Sequence, residues 1–311
     1  MSIDVEHLTK SFGSGVTAVR DLSFSAAPGK VTGFLGPNGA GKTTTLRCLL
    51  GLVAQTAGKA TIDGVTYREI ENPITVVGAS LEASGFHPAR TARNHLRMIA
   101  SAAKITDSRV AEVLETVGLT AAADRKVGGY SLGMRQRLAL AVALLGDPRV
   151  LILDEPANGL DPEGISWLRS FLRHQAGKGV SVLVSSHVLS EVQQTVDDVI
   201  IIRSGSLAYQ GSLHALTGGG PAEVVVRGPH IDQMVLPSQW SRRSEANGET
   251  VITGGTIDAV GRAAFEQSLE LHELSSKAAD LEALFLGLTA EEPNGSTKAV
   301  TDVASTEGAP A

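Results

Sequence analysis

Apolar and polar positions in the opening stretch fall into short runs. Ile3–Leu8, Thr17–Phe24 and Val31–Leu35 read as strands, separated by turn signals at Gly13-Ser14-Gly15 and Pro28-Gly29. A helix is expected from Lys42 to about Leu50, stopping at Gly51. A strand–turn unit follows at Ala60–Tyr67, with Asp63-Gly64 as its hairpin turn. From Pro88 to about Leu145 the period changes, and His95, Leu96, Ile99 and then Val110, Val113, Leu114, Val117 recur at helical spacing. Strands and helices then alternate: Val150–Leu153, helix Ile165–Gln175, Val180–Ser185, helix Leu189–Thr195 and Val199–Arg203. That alternation predicts an α/β core with a largely parallel sheet.

The pattern breaks at Thr217-Gly218-Gly219-Gly220-Pro221, which reads as a linker. Beyond it, Glu223–Arg227 and Thr250–Ile252 read as strands, and Ala278–Thr289 as a short amphipathic helix with Leu281, Leu284, Phe285 and Leu288 on one face. The expected organisation is a core over residues 2–217 with a helical subdomain at about 86–145. A small α+β domain over 222–290 and a disordered Gly/Ser/Thr/Ala/Pro-rich tail over 291–311 complete it.

Composition narrows the function classes only a little. The chain has 311 residues, 42% hydrophobic and 19% charged, as a folded globular protein would. Its net charge of −6 argues against nucleic acid as the main partner. Cys48 is the sole cysteine, so no disulfide can form within the chain, and its apolar neighbours Leu46, Leu49 and Leu50 suggest a buried thiol. Met1–Lys10 lacks a signal-peptide pattern, and the apolar run Leu138–Leu145 falls far short of the roughly 20 residues of a membrane helix. A cytoplasmic location is expected, with any membrane role exerted through a partner.

The strongest chemical signal is Gly36-Pro37-Asn38-Gly39-Ala40-Gly41-Lys42-Thr43, which fits G-x-x-x-x-G-K-[ST] between a predicted strand and a predicted helix. Glycines let the backbone N–H groups wrap a phosphate, and the helix N-terminus adds the positive end of its dipole. Lys42 supplies a charge to the β- and γ-phosphates and Thr43 a hydroxyl to Mg²⁺; Thr44 follows on the same turn. The complementary half is Val150-Leu151-Ile152-Leu153-Asp154-Glu155, an apolar strand ending in two carboxylates. Asp154 suits Mg²⁺, and Glu155 suits activation of a water for attack on the γ-phosphate.

With these motifs in order, the chain resembles the ABC-type ATPases over about residues 2–215. Ala157-Asn158-Gly159-Leu160-Asp161 is similar to the family's D-loop, Ser185-Ser186-His187 to its histidine switch, and Tyr130-Ser131-Leu132-Gly133-Met134 to its signature. The resemblance implies that Ser131 and Gly133 face the γ-phosphate of ATP held by a second subunit. It also implies that His187 contacts the γ-phosphate beside Glu155, and that Phe12 stacks on adenine. Each has a plainer reading from the residues alone: Ser131 and Asp161 as helix N-caps, His187 as a strand-end histidine, Phe12 as a core aromatic.

Two departures stand out. Leu132 and Met134 replace the usual glycine and glutamine of the signature, and Glu82, in Val77-Gly78-Ala79-Ser80-Leu81-Glu82, replaces the usual Q-loop glutamine. Glu82 can still ligate Mg²⁺, at the cost of more negative charge near the phosphates. With the C-terminal segment, these variants resemble the ATP-binding subunits of bacterial type-2 exporters of the daunorubicin- and bacitracin-resistance kind. The resemblance implies ATP and Mg²⁺ as ligands, a homodimer, and a separately encoded permease touching Ser84–Ala103, where Arg90, Arg93 and Arg97 lie. The competing reading is a non-transport ABC ATPase of translation, repair or regulation. The single cassette, the acidic balance and the lack of sustained heptads disfavour it. A P-loop kinase or GTPase leaves the signature and His187 unexplained.

Overall fold

The computed structural model describes residues 1–13, 15–81, 85–188, 193–216, 223–245, 249–276 and 287–288. Strand β1 (Ile3–Ser11) pairs antiparallel with β2 (Thr17–Ala26), and the chain then enters the short, fully buried β3 (Val31–Leu35). Helix α1 (Lys42–Leu49) follows, and β4 (Ala57–Ile62) returns to the free side of β1. The turn Asp63-Gly64 forms with both residues at positive φ, but its return arm is only a bridge from Ile62 to Val65. The expected strand does not reach Tyr67, because Thr66 and Glu69 build a reciprocal capping box that starts a 3-10 turn at Tyr67–Glu69.

The central sheet collects β5 (Val77–Ser80), β6 (Val150–Asp154), β7 (Ser181–Ser186), β8 (Asp198–Arg203) and β9 (Ser206–Ser212) around β3. Their order is β5-β6-β7-β3-β8-β9, parallel throughout except for β9. Both faces are covered, so strand residues alternate between two cores. Leu151, Leu153, Val182, Val184, Val199 and Ile201 face one cluster; Val150, Ile152, Leu183, Ile200 and Ile202 face the other, with Phe34 and Leu46. Each fully buried branched side chain contributes about 1.5–3 kcal/mol, which sets the register of these strands firmly.

Helices α2 (Ala92–Ala102), α3 (Asp107–Thr116) and α4 (Leu132–Leu144) occupy the stretch where helical spacing is expected, and α5 (Pro162–Gly177) follows β6. Arg93 and Arg97 of α2 pair with Asp124 and with Asp107 at the start of α3. The helix expected at Leu189–Thr195 lies partly outside the described residues, and its described end, 193–195, is turn. A short helix α6 (Leu213–Leu216) ends this part of the chain. Beyond it, β10 (Glu223–Arg227), β11 (Ser241–Ser244), β12 (Thr250–Thr253) and β13 (Glu273–Ser276) form a separate antiparallel sheet in the order β11-β12-β10-β13. Helix α7 (Ile257–Glu266) packs on it through Val260 and Ala264, in a cluster of their own with Val224, Val226 and Ile252. The expected linker at 217–221, the tail and all but residues 287–288 of the predicted C-terminal helix lie outside the described residues. Cys48 is buried, and burial pushes its thiol pKa up.

His95 of α2 is 7% exposed, meets Phe86 edge-on at 5.0 Å, and its Nδ1 has no hydrogen-bond partner among the described residues. Burial, reinforced by the Arg90 charge, holds its pKa below the ordinary histidine value. The folded state therefore favours the neutral ring. The associated stability is complete above the unfolded-state pKa of about 6.5 and is lost as pH falls below it. Thermal melts of wild type between pH 7.5 and about 5 are expected to fall more steeply than those of His95→Leu. Parallel curves would assign the acid sensitivity to other groups.

Candidate functional site

The sheet order brings three strand ends together. β7 lies between β3 and β6, and the register places Phe34, Ser185 and Asp154 in one cross-strand row. Ligand sites in such sheets lie beyond the carboxyl ends of the strands. Here the segments leaving those ends are the Gly36–Thr43 loop, Glu155 and His187.

The loop is shaped by close backbone packing. A β-carbon at Gly36 would lie 2.5 Å from the Ile202 carbonyl, and one at Gly41 2.4 Å from that of Ala18. Gly41 also has φ 103°, in the left-handed region where side chains are strained. Ala40 N–H donates to Pro37 O at 3.1 Å and closes the turn, leaving Asn38 and Gly39 exposed. Gly41 caps α1 without a side-chain acceptor, so the first-turn amides remain available to an anion. Thr44 is partly buried on that turn.

The polar side chains form one connected network. Lys42, only 6% exposed, donates from Nζ to Gly36 O at 2.6 Å and Pro37 O at 3.3 Å, and lies 3.4 Å from Glu155 Oε1. Thr43 Oγ1 donates to Asp154 Oδ2 at 2.6 Å. Ser185 Oγ donates to the other Asp154 oxygen and accepts from Glu155 N–H at 2.9 Å. His187 Nδ1 meets Glu155 Oε2 at 2.9 Å, so the Glu155 carboxylate spans an ammonium and an imidazole. Glu155 holds φ 48°, a conformation that costs a non-glycine residue about 1–3 kcal/mol. Its N–H bond to Ser185 and the turn bond from Asn158 N–H to its carbonyl, 3.2 Å, offset that strain.

Ser185 is the participant that sequence reasoning passed over, treating it only as the residue two before His187. Counting back from His187 to the strand end would have found it, since the row it shares with Asp154 follows once β6 and β7 are paired.

The remaining candidates divide. Ser131 is the N-cap of α4, its Oγ accepting from Met134 N–H at 3.2 Å. Gly133 lies against Gly159 and Leu160, so it sits with the segment after Glu155. Asp161 caps α5 through Gly164 N–H at 2.8 Å, with Pro162 in the first helical position. Phe12 is 43% exposed, with the Lys10 ammonium 4.9 Å from its ring centroid, so it is no core aromatic. Glu82 lies outside the described residues. A cavity of about 360 Å³ at the far end of α1, lined by Cys48, Gln55, Thr56, Tyr67 and Arg68, contains none of this chemistry.

The cradle, the buried lysine and the paired hydroxyl and carboxylate fit a nucleoside triphosphate. Comparison with known proteins specifies which kind of protein carries them. The family model described as ABC transporter matches residues 19–158. The bacitracin transport ATP-binding protein BcrA of Bacillus licheniformis is 44% identical over 66% of this chain and 68% of its own length. The Nod factor export ATP-binding protein I of Bradyrhizobium diazoefficiens is 33% identical over 94% of this chain and 97% of its own. Among solved structures, an ATP-binding subunit of an ABC transporter superposes with a TM-score of 0.63 at 26% identity, covering 70% of this chain and 92% of that one. Among the described residues no helix is long and apolar enough to cross a membrane. The non-transport alternative drops out, and the chain belongs to the family of ABC transporter ATP-binding proteins, as an α/β P-loop ATPase that couples ATP hydrolysis to transport.

Proposed function

We propose that this chain is the motor subunit of a bacterial exporter, acting as a homodimer beneath a separately encoded permease. The carrying observation is the Glu155 carboxylate held between Lys42 and His187, beside the Thr43–Asp154 pair. The name of the Nod-factor-export relative supports export as the direction.

The first-turn amides and Lys42 bind the β- and γ-phosphates, Lys42 exchanging its contacts with the Gly36 and Pro37 carbonyls for phosphate oxygens. Thr43 and Asp154 offer the hard oxygen donors that suit Mg²⁺, which when bound neutralises charge developing on the phosphates. Glu155 accepts the proton of the attacking water as the new O–P bond forms, and the bond from γ-phosphorus to the bridging oxygen breaks toward ADP. His187 orients Glu155 through Oε2 and reaches the γ-phosphate. Ser131 and Gly133 close the site from the partner subunit, Phe12 stacks on adenine, and Glu82 carries the link to the permease. With Arg93 and Arg97 committed to carboxylates, the permease contact on α2 falls to groups such as the half-exposed Met98. The sheet over 223–276 serves as an accessory domain for dimer contact or regulation.

The test is co-expression with the gene beside it, expected to encode about six membrane spans. The purified complex should hydrolyse ATP faster than the chain alone, and EDTA should lower that rate at least ~100-fold. An unchanged rate in EDTA would remove Mg²⁺ from the scheme. Absence of any complex with the neighbouring membrane protein would remove the permease.

A further inference from the structure

Leu132 opens α4 at the position where the signature usually has glycine. It is 55% exposed, too open to serve as a core residue. The covered part of its side chain lies on Gly159. A β-carbon at Gly159 would sit 2.1 Å from Leu132 Cδ2 and 2.5 Å from Cγ, so the leucine fills the space a side chain there would need. Gly159 also holds φ 76°, which glycine adopts freely.

Two further contacts flank this one. One turn along α4, Gln136 Nε2 donates to Asn158 O at 3.1 Å. A β-carbon at Gly133 would lie 3.4 Å from both Gly159 O and Leu160 Cδ2. The start of α4 thus grips Asn158–Leu160, a segment tethered at both ends. On one side Asn158 N–H bonds to Glu155 O; on the other, Asp161 is locked to α5 by its cap. Ser131 directly precedes Leu132, and Glu155 begins the gripped turn.

We propose that Leu132 and Gly159 form a positioning pair that sets Ser131 in a fixed relation to the turn bearing Glu155. Closure of Ser131 on a nucleotide displaces the start of α4. Leu132, seated on Gly159, carries that displacement into the Glu155 turn, so engagement at one ATP site adjusts the general base of the other. The pair replaces the small signature residue with a side chain that takes up the slack between helix and loop. This reading rests on the proposed engagement of the partner's nucleotide by Ser131.

The test uses the purified full-length chain and steady-state ATP hydrolysis, with nucleotide binding and thermal melting as controls. Leu132→Ala keeps the helix former and empties the contact. It should lower kcat about 10–100-fold while KM changes less than about twofold, as expected of a misplaced catalytic group. Leu132→Met, which refills the space, should recover most of the rate. A wild-type kcat for Leu132→Ala at unchanged melting temperature overturns the pair, as does a Leu132→Met variant that recovers none of the rate. Ser131→Ala separates the two levels of inference. If it abolishes ATP-driven dimerisation while Leu132→Ala is silent, only the pair fails. If Ser131→Ala is itself silent in dimerisation and rate, the trans engagement fails with it.

Discussion

Glu155→Gln is expected to bind ATP at near-native affinity, to accumulate as an ATP-bound dimer and to turn over at least ~100-fold more slowly than wild type. The substitution keeps the shape and the hydrogen bonds to Lys42 and His187 within reach, and removes only the basicity. Since the carboxylate also draws Lys42 away from phosphate, its neutralisation frees the ammonium, and affinity should rise slightly rather than fall. Measuring nucleotide binding, sedimentation in ATP, and phosphate release on one preparation separates these effects. Should Glu155→Gln hydrolyse ATP at the wild-type rate while His187→Ala does not, the proton goes to the histidine and Glu155 only orients it.

Lys42→Met fails earlier in the cycle. The Lys42 ammonium is 6% exposed and is held by two carbonyls and a carboxylate, contacts that phosphate oxygens take over when nucleotide binds. Truncating one partner of a buried ammonium–phosphate pair costs about 2–5 kcal/mol of binding, so affinity for ATP should drop roughly 30-fold or more. Because phosphate binding precedes closure, Lys42→Met/Glu155→Gln should not dimerise in ATP at concentrations that assemble Glu155→Gln. Melting temperature without nucleotide should fall only modestly, because methionine retains the aliphatic stem. Tight ATP binding by Lys42→Met would move the phosphate-binding charge elsewhere in the loop.

Much of the framework was legible before any coordinates. β3 and β10 are as read from the chain, since short β-branched-rich runs bounded by turn residues leave little choice. β9 and β11 were not read, and the reason is physical. Ser206–Ser212 and Ser241–Ser244 are edge strands with few apolar residues, recruited by pairing to β8 and β12 rather than by burial. α7 was missed although Thr256 caps it through Ala259 N–H, because Gly261 in its middle lowers the helix propensity of the run.

The site divides along the same line. The residues alone determine the Gly36–Thr43 loop, the Asp154-Glu155 strand end and the Ser131 and Asp161 caps, because that chemistry is contiguous in the chain and works through neighbouring backbone amides. Only the tertiary structure decided that Ser185 bridges Asp154 to Glu155, that Glu155 stands between Lys42 and His187, and that Leu132 rests on Gly159. Those contacts follow from β7 inserting between β3 and β6 and from the approach of α4 to the turn after β6. Sheet order and helix placement are set by burying both faces of one sheet, a condition on the whole chain that no local run of residues expresses.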